Sequence, residues 1–278
     1  LSIRRQRQMC IRDRYWEVDC GGRVVSERKQ LLAQAYGIYG LSEFYRATGE
    51  RRSLALAQEL FHLLEAHAFD AARGGYWEGS SRRWKTLSDA RLDEADPQCQ
   101  KSLNTTLHVL EAYSNLLRVW DDEQLRKRHR ALLEMFLERV VDGERGHLWL
   151  FFDQRWRPLV ETVSYGHDIE ASWLLWEAAQ FHEDQELTRR ARDVAVALAR
   201  AVYDEGVDED GSVRSKDGDA GGKAWWPQAE GVVGFYNAYQ LTGRSEFARA
   251  SRRCWAFIQE HLVAVSYTHL TLPTNREV

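Results

Sequence analysis

The sequence predicts an all-α fold, an (α/α)6 toroid or barrel of helix hairpins, and three observations carry that expectation. Four helix-to-helix turns fall on one template: Arg46-Ala-Thr-Gly-Glu50, Val119-Trp-Asp-Asp-Glu123, Phe181-His-Glu-Asp-Gln185 and Gln240-Leu-Thr-Gly-Arg244. Their markers Gly49, Asp122, Asp184 and Gly243 recur about every 60–75 residues, a period that suits stacked helix pairs. Each turn is followed by an amphipathic segment and preceded by a more uniformly apolar one, such as 104–120, 169–181 and 228–241. An inner ring of helices buried on most sides, inside an outer ring with one buried face, is the arrangement these patterns describe.

The outer helices show i, i+3/i+4 stripes: Leu54, Ala57, Phe61, Leu64 and Ala68, then Leu187, Ala191, Val194, Leu198 and Val202, then Phe247, Ala250, Cys254, Phe257 and His261. Glycine-bearing loops close them at Gly74-Gly-Tyr-Trp-Glu78, Gly146-His-Leu-Trp-Leu-Phe-Phe152 and Gly211-Ser-Val-Arg214. Short β-type segments there are expected to form small hairpins at one mouth of the ring. The Asp- and Gly-rich stretch 206–222 reads as a surface loop. Residues 15–264 are expected to form one partial domain, incomplete at both ends. The Thr-rich segment 265–278 has no helical period and continues nothing before it, segment 1–14 has the same look, and the two are read as a non-native tail and leader.

Composition narrows the function. The 278 residues are 44% hydrophobic, with eleven Trp, eleven Tyr and four Pro, which fits long helices and an aromatic lining able to stack on sugars. A net charge of −4 gives no reason to expect nucleic acid or an anionic membrane, and the basic run at 126–130 reads as a solvated helix face. No apolar run is long enough to span a bilayer. Four scattered cysteines fit a reducing, cytoplasmic setting; a monomer or homodimer is expected. His-Glu-x-x-His, G-x-S-x-G and dinucleotide fingerprints are absent, and Asp217-Gly-Asp-Ala-Gly-Gly-Lys-Ala224 lacks the P-loop spacing. The sequence therefore gives no expectation of a metal or cofactor.

The repeat identifies equivalent positions. Counted back from the turn markers, Tyr36, His108, Glu170 and Glu230 lie at one interval to within a single position. Asn104, His167 and Trp226 share another interval, about one helical turn earlier. In a closed ring such positions share one mouth, and polar groups in apolar helices need partners or a task. Each has a plainer reading. His108 alone can be a satisfied core histidine. His167, with Glu170 three residues on, is the stronger acid/base candidate, although Ser164 and Asp168 around it also suit a helix cap. Trp225 and Trp226 before Pro227 form a helix start, or a platform for a sugar ring.

Three segments then carry a family likeness. Lys101-Ser-Leu-Asn-Thr-Thr-Leu-His-Val-Leu-Glu-Ala-Tyr113, Ser164-Tyr-Gly-His-Asp-Ile-Glu-Ala-Ser-Trp173 and Lys223-Ala-Trp-Trp-Pro-Gln-Ala-Glu-Gly-Val-Val-Gly234 resemble segments of the N-acylglucosamine/cellobiose 2-epimerase family. Ala33-Gln-Ala-Tyr-Gly-Ile-Tyr39 and the 74–78 loop agree more loosely. The resemblance implies cofactor-free epimerisation at C2 of a reducing-end sugar of the cellobiose type through a cis-enediolate. It implies His167 as an acid/base, Glu170 as its support and His108 as donor to the oxygens at C1 and C2. Asn104, Trp225, Trp226, Tyr36, Tyr76 and Glu230 would be sugar contacts. Tyr36 stands where many members carry Arg. The family's second catalytic histidine lies in a later Pro-Tyr-His-Asn segment that this sequence lacks, and His269 is no substitute, so the resemblance implies an inactive or nearly inactive fragment. An aldose–ketose (mannose) isomerase, an inverting hydrolase using Glu170 and Glu230, and a sugar-binding protein are the alternatives.

Overall fold

The computed structural model describes residues 15–216 and 223–263. The two terminal segments expected to be non-native, His269, and most of the P-loop-like stretch lie outside the described residues. The helices are α1 (Leu31–Thr48), α2 (Arg51–His67), α3 (Leu103–Leu117), α4 (Glu123–Met135), α5 (Tyr165–Ala179), α6 (Gln185–Ala201), α7 (Trp225–Thr242) and α8 (Ser245–Phe257). The strands are two or three residues long: β1 (Glu17–Val18), β2 (Val24–Ser26), β3 (Lys29–Gln30), β4 (Gly79–Ser80), β5 (Lys101–Ser102), β6 (Val141–Asp142), β7 (His147–Leu148) and β8 (Phe151–Phe152). The chain divides into two compact units, one holding the residues up to Met135 with Phe151–Leu159, the other Phe136–Leu150 with the residues from Val160.

In the first unit α1 packs on both α2 and α3, and α3 packs on α4. Thirteen of the 15 residues of α3 are buried, as its uniform apolarity requires. The predicted turns form with two chemistries. Gly49 ends α1 in the left-handed region, at φ 71°, where a side chain is strained, and its N–H donates to the Tyr45 carbonyl. Asp122 instead accepts from the Leu125 N–H and starts α4. Antiparallel pairs β3–β4 and β5–β8 end immediately before α1 and α3 and pin their entries. A buried lysine locks the second entry. Lys101 Nζ lies 2.9 Å from Asp70 Oδ2, donates to the Gly74 carbonyl at 2.8 Å and sits 4.8 Å from the Trp156 ring centre. A buried ammonium is tolerated when paired and hydrogen-bonded in this way.

In the second unit α5 packs on α6 and α7, and α7 on α8. Tyr165, Ile169, Val202, Phe235, Phe247 and Cys254 belong to its core. Asp184 caps α6 by accepting from Leu187 N–H, and Gly243 ends α7 at φ 71°. Five-residue π turns, Val202–Gly206 and Ile258–Leu262, follow α6 and α8 directly. The expected hairpin appears as β6–β7. One expectation fails in degree: α7 buries six of its 18 residues, and Val233, Tyr236 and Tyr239 are exposed. The reason is geometric, since its buried face is a narrow one of Gly231, Gly234, Phe235 and Ala238. Cys99 and Cys254 are buried thiols, pushed up to about 12 by burial, and no described helix is long and apolar enough to cross a membrane.

The α5–α7 contact is too close for a side chain. A Cβ on Gly234 would stand 2.6 Å from the Ile169 carbonyl oxygen, which as backbone cannot swing aside. Gly234→Ala is expected to cost about 1–3 kcal/mol in urea unfolding. Gly40→Ala, inside α1 with nothing within 4 Å of the new methyl, is expected to stabilise by about 0.5–1 kcal/mol.

Candidate functional site

The candidate residues fall at one height on their helices. Tyr36, His108, Glu170 and Glu230 are each the sixth residue of α1, α3, α5 and α7, and Asn104, His167 and Trp226 lie in the first turns of α3, α5 and α7. The spacing read from the turns is therefore a common depth below each helix start.

In the first unit, His108 is 8% exposed and its Nδ1 lies 2.8 Å from Glu111 Oε2. A carboxylate accepts, so Nδ1 carries the proton that faces Glu111. The Tyr36 ring lies 4.8 Å away, tilted by 50°. Asn104 is half-buried one turn earlier. Ser102 caps α3 by accepting from Thr105 N–H, and the Thr105 hydroxyl donates to Glu78 Oε1 at 2.6 Å. Burial pushes the Glu78 carboxyl up to about 7 despite that bond, and Oε2 has no hydrogen-bond partner among the described residues.

In the second unit, Ser164 caps α5, and its Oγ lies 2.8 Å from His167 Nδ1. The Trp226 ring is 5.0 Å from the His167 ring at 57°. Gly166 makes room for it: a Cβ there would meet Trp226 at 2.4 Å. Glu170 is buried one turn on. Glu230 Oε2 accepts from the Trp173 indole at 2.8 Å. Trp225 is 67% exposed. Beside His167, Asp168 is fully buried and accepts from Leu148 N–H and from His147 Nδ1. Asp168 holds the His147 imidazole above its usual range. Among the described residues no group of three or more His, Cys, Asp or Glu is arranged to hold a metal ion.

The model of the N-acylglucosamine 2-epimerase (GlcNAc 2-epimerase) family matches residues 4–269. The chain belongs to the N-acylglucosamine 2-epimerase family. Within that family it is 42% identical over 255 residues to a cellobiose 2-epimerase of Bacteroides fragilis, covering 89% of this chain and 64% of the relative. It is 36% identical over 252 residues to that of Dictyoglomus turgidum, covering 90% and 64%. The chain thus spans just under two thirds of these relatives' length. Among solved structures, the cellobiose 2-epimerase of Bacillus thermoamylovorans superposes with a TM-score of 0.85 at 36% identity, over 91% of this chain and 66% of that one. A D-mannose isomerase, at TM-score 0.72 and 18% identity over 88% and 63% of the two chains, shares the fold.

For this member of the N-acylglucosamine 2-epimerase family, one expected sugar contact is placed elsewhere. Tyr76 is 3% exposed, with its hydroxyl donating to Glu65 and its ring edge against Tyr113. The left-handed glycines Gly74 and Gly75 turn the loop so that this ring enters the core. Glu111 lies inside a quoted motif that does not single it out. The signal that could have found it is its spacing from His108, which repeats that of His167 and Glu170. The His147–Asp168 pair has no local signal, because 21 residues separate its members. Glu78 stands in a quoted loop motif, but its burial cannot be read from one strand end.

Between about pH 4.5 and 7 the folded chain holds a proton on Glu78 that the unfolded chain has released. Stability from this group therefore falls as pH rises through that window. Glu78→Gln is expected to gain about 3 kcal/mol on the wild type between pH 4 and pH 8, read from urea unfolding at a series of pH values.

Proposed function

We propose that the chain carries part of a carbohydrate 2-epimerase that interconverts glucose and mannose at the reducing end of a β-1,4-linked disaccharide of the cellobiose type. The observation that carries this reading is His167, held at Nδ1 by Ser164 and set 5.0 Å from the Trp226 ring. An aromatic face beside a histidine suits a sugar whose ring is stacked while one carbon gives up a proton. The resemblance to curated cellobiose 2-epimerases supports the same reading.

In the open-chain aldose, His167 Nε2 takes the proton from C2. The C2–H electrons form the C1–C2 double bond, and the aldehyde electrons move to the C1 oxygen, giving a cis-enediolate. A second acid on the other face, the role the resemblance gives to a later histidine, returns a proton to C2 while His167 releases the one it took, so the epimerisation ends with no net redox change. A carbon-bound proton is weakly acidic, so the charge on oxygen needs donors in place. The family resemblance gives this task to His108: as the imidazolium, with Nδ1–H held by Glu111, it would present Nε2–H to the C1 and C2 oxygens, with Asn104 positioning the same end. Glu170 supports His167. Trp226 stacks on the sugar, with Trp225, Tyr36 and Glu230 as further contacts.

Proton NMR of cellobiose in D2O tests this, using this chain and a version extended to the length of the curated relatives. Loss of the C2 proton signal and growth of the mannose-ended product are expected with the extended version. His167→Gln is expected to slow both by about 10²–10⁴-fold. A ketose product instead would assign an aldose–ketose isomerase, and free glucose without exchange a hydrolase. No exchange by the folded, extended protein would reject the epimerase.

A further inference from the structure

Among the described residues Ser164 Oγ has three polar neighbours. The His167 backbone N–H points to it at 3.5 Å, the Ser215 carbonyl oxygen lies 3.3 Å away, and His167 Nδ1 lies 2.8 Å away. Ser164 is 1% exposed, so these contacts are settled within the protein. A hydroxyl has one proton and two acceptor sites. The backbone N–H can only donate and the carbonyl can only accept, whereas a neutral imidazole nitrogen does either. If the hydroxyl proton went to Nδ1, the Ser164 and Ser215 oxygens would face each other within hydrogen-bond distance and with no proton between them. With the proton on the Ser215 side, both acceptor sites of Oγ are filled, by the backbone N–H and by Nδ1–H.

We infer that Ser164, with its proton committed to the Ser215 carbonyl, is a positioning residue that fixes His167 as the Nδ1–H tautomer and leaves proton exchange to Nε2. The arrangement is unchanged when the ring becomes an imidazolium, because Nδ1 donates in both states. His167 can then gain and lose a proton at Nε2 without rotation of the hydroxyl. The helix cap and the tautomer lock are one oxygen atom. The chemical meaning rests on His167 being the acid/base proposed above; the tautomer itself does not.

The test is long-range proton–nitrogen correlation of the 15N-labelled chain at about pH 8, where an imidazole of ordinary basicity is neutral. The His167 signals are identified by their loss in His167→Gln. The expected wild-type pattern is a proton-bearing Nδ1 and a bare Nε2. Ser164→Ala is expected to shift the ring toward the Nε2–H tautomer, while Ser164→Thr, which keeps a hydroxyl and a cap, restores the original pattern. A wild-type Nε2–H tautomer overturns the inference, and so does a folded Ser164→Ala with an unchanged pattern. The wild-type spectrum alone decides the tautomer if Ser164→Ala folds poorly. In the extended, active form Ser164→Ala is expected to lower kcat about tenfold or more with little change in KM, and Ser164→Thr to recover it. An intact tautomer lock without C2 exchange would count against the epimerase reading and leave this inference standing.

Discussion

A helix that begins inside a protein brings four backbone N–H groups that have no partner within the helix, and buried donors of that kind are costly to leave unmade. The four helices that carry the candidate residues meet this demand in different ways. α3 and α5 use serine caps, Ser102 and Ser164. α1 has no side-chain cap, and its first N–H, that of Leu31, donates to the Glu78 carbonyl. α7 has Pro227 as its third residue, which has no N–H to satisfy. Its next residue, Gln228, is buried and ties the Val213 N–H and the Val213 and Ala224 carbonyls to the helix start.

Polar side chains therefore gather at these helix starts for structural reasons before any chemistry is asked of them. Ser102 and Thr105 lead to Glu78, and Ser164 leads to His167. The short pairs β3–β4 and β5–β8, together with the buried Lys101, hold the entering chain still. A histidine placed one turn inside such an anchored start inherits a fixed ring orientation at little further cost. Structure and proposed chemistry here draw on the same atoms.

How much of this was legible in the sequence follows from the range of each interaction. The turn markers Gly49, Asp122, Asp184 and Gly243 were legible because caps act within a single helical turn. The common depth of Tyr36, His108, Glu170 and Glu230 followed from them by counting. Ser164 was visible as a cap, but its bond to the Ser215 carbonyl spans 51 residues and was not. The inward turn of Tyr76 depends on the backbone of Gly74 and Gly75 and on Glu65 from α2, a pairing no local pattern encodes. The narrow buried face of α7 was masked by its apolar composition, since mean apolarity does not say which side is covered.

The common depth has a consequence for how such chains can change length. One residue inserted between a helix start and its sixth position turns the side chain by about 100° and moves it about 1.5 Å along the axis. A connecting loop absorbs the same insertion with almost no penalty. The intervals between successive turn markers are already unequal, while the start-to-site interval is the same in α1, α3, α5 and α7. Within this chain the unequal spacing thus lies outside the start-to-site interval, and the phase of α1, α3, α5 and α7 is the quantity that stays the same.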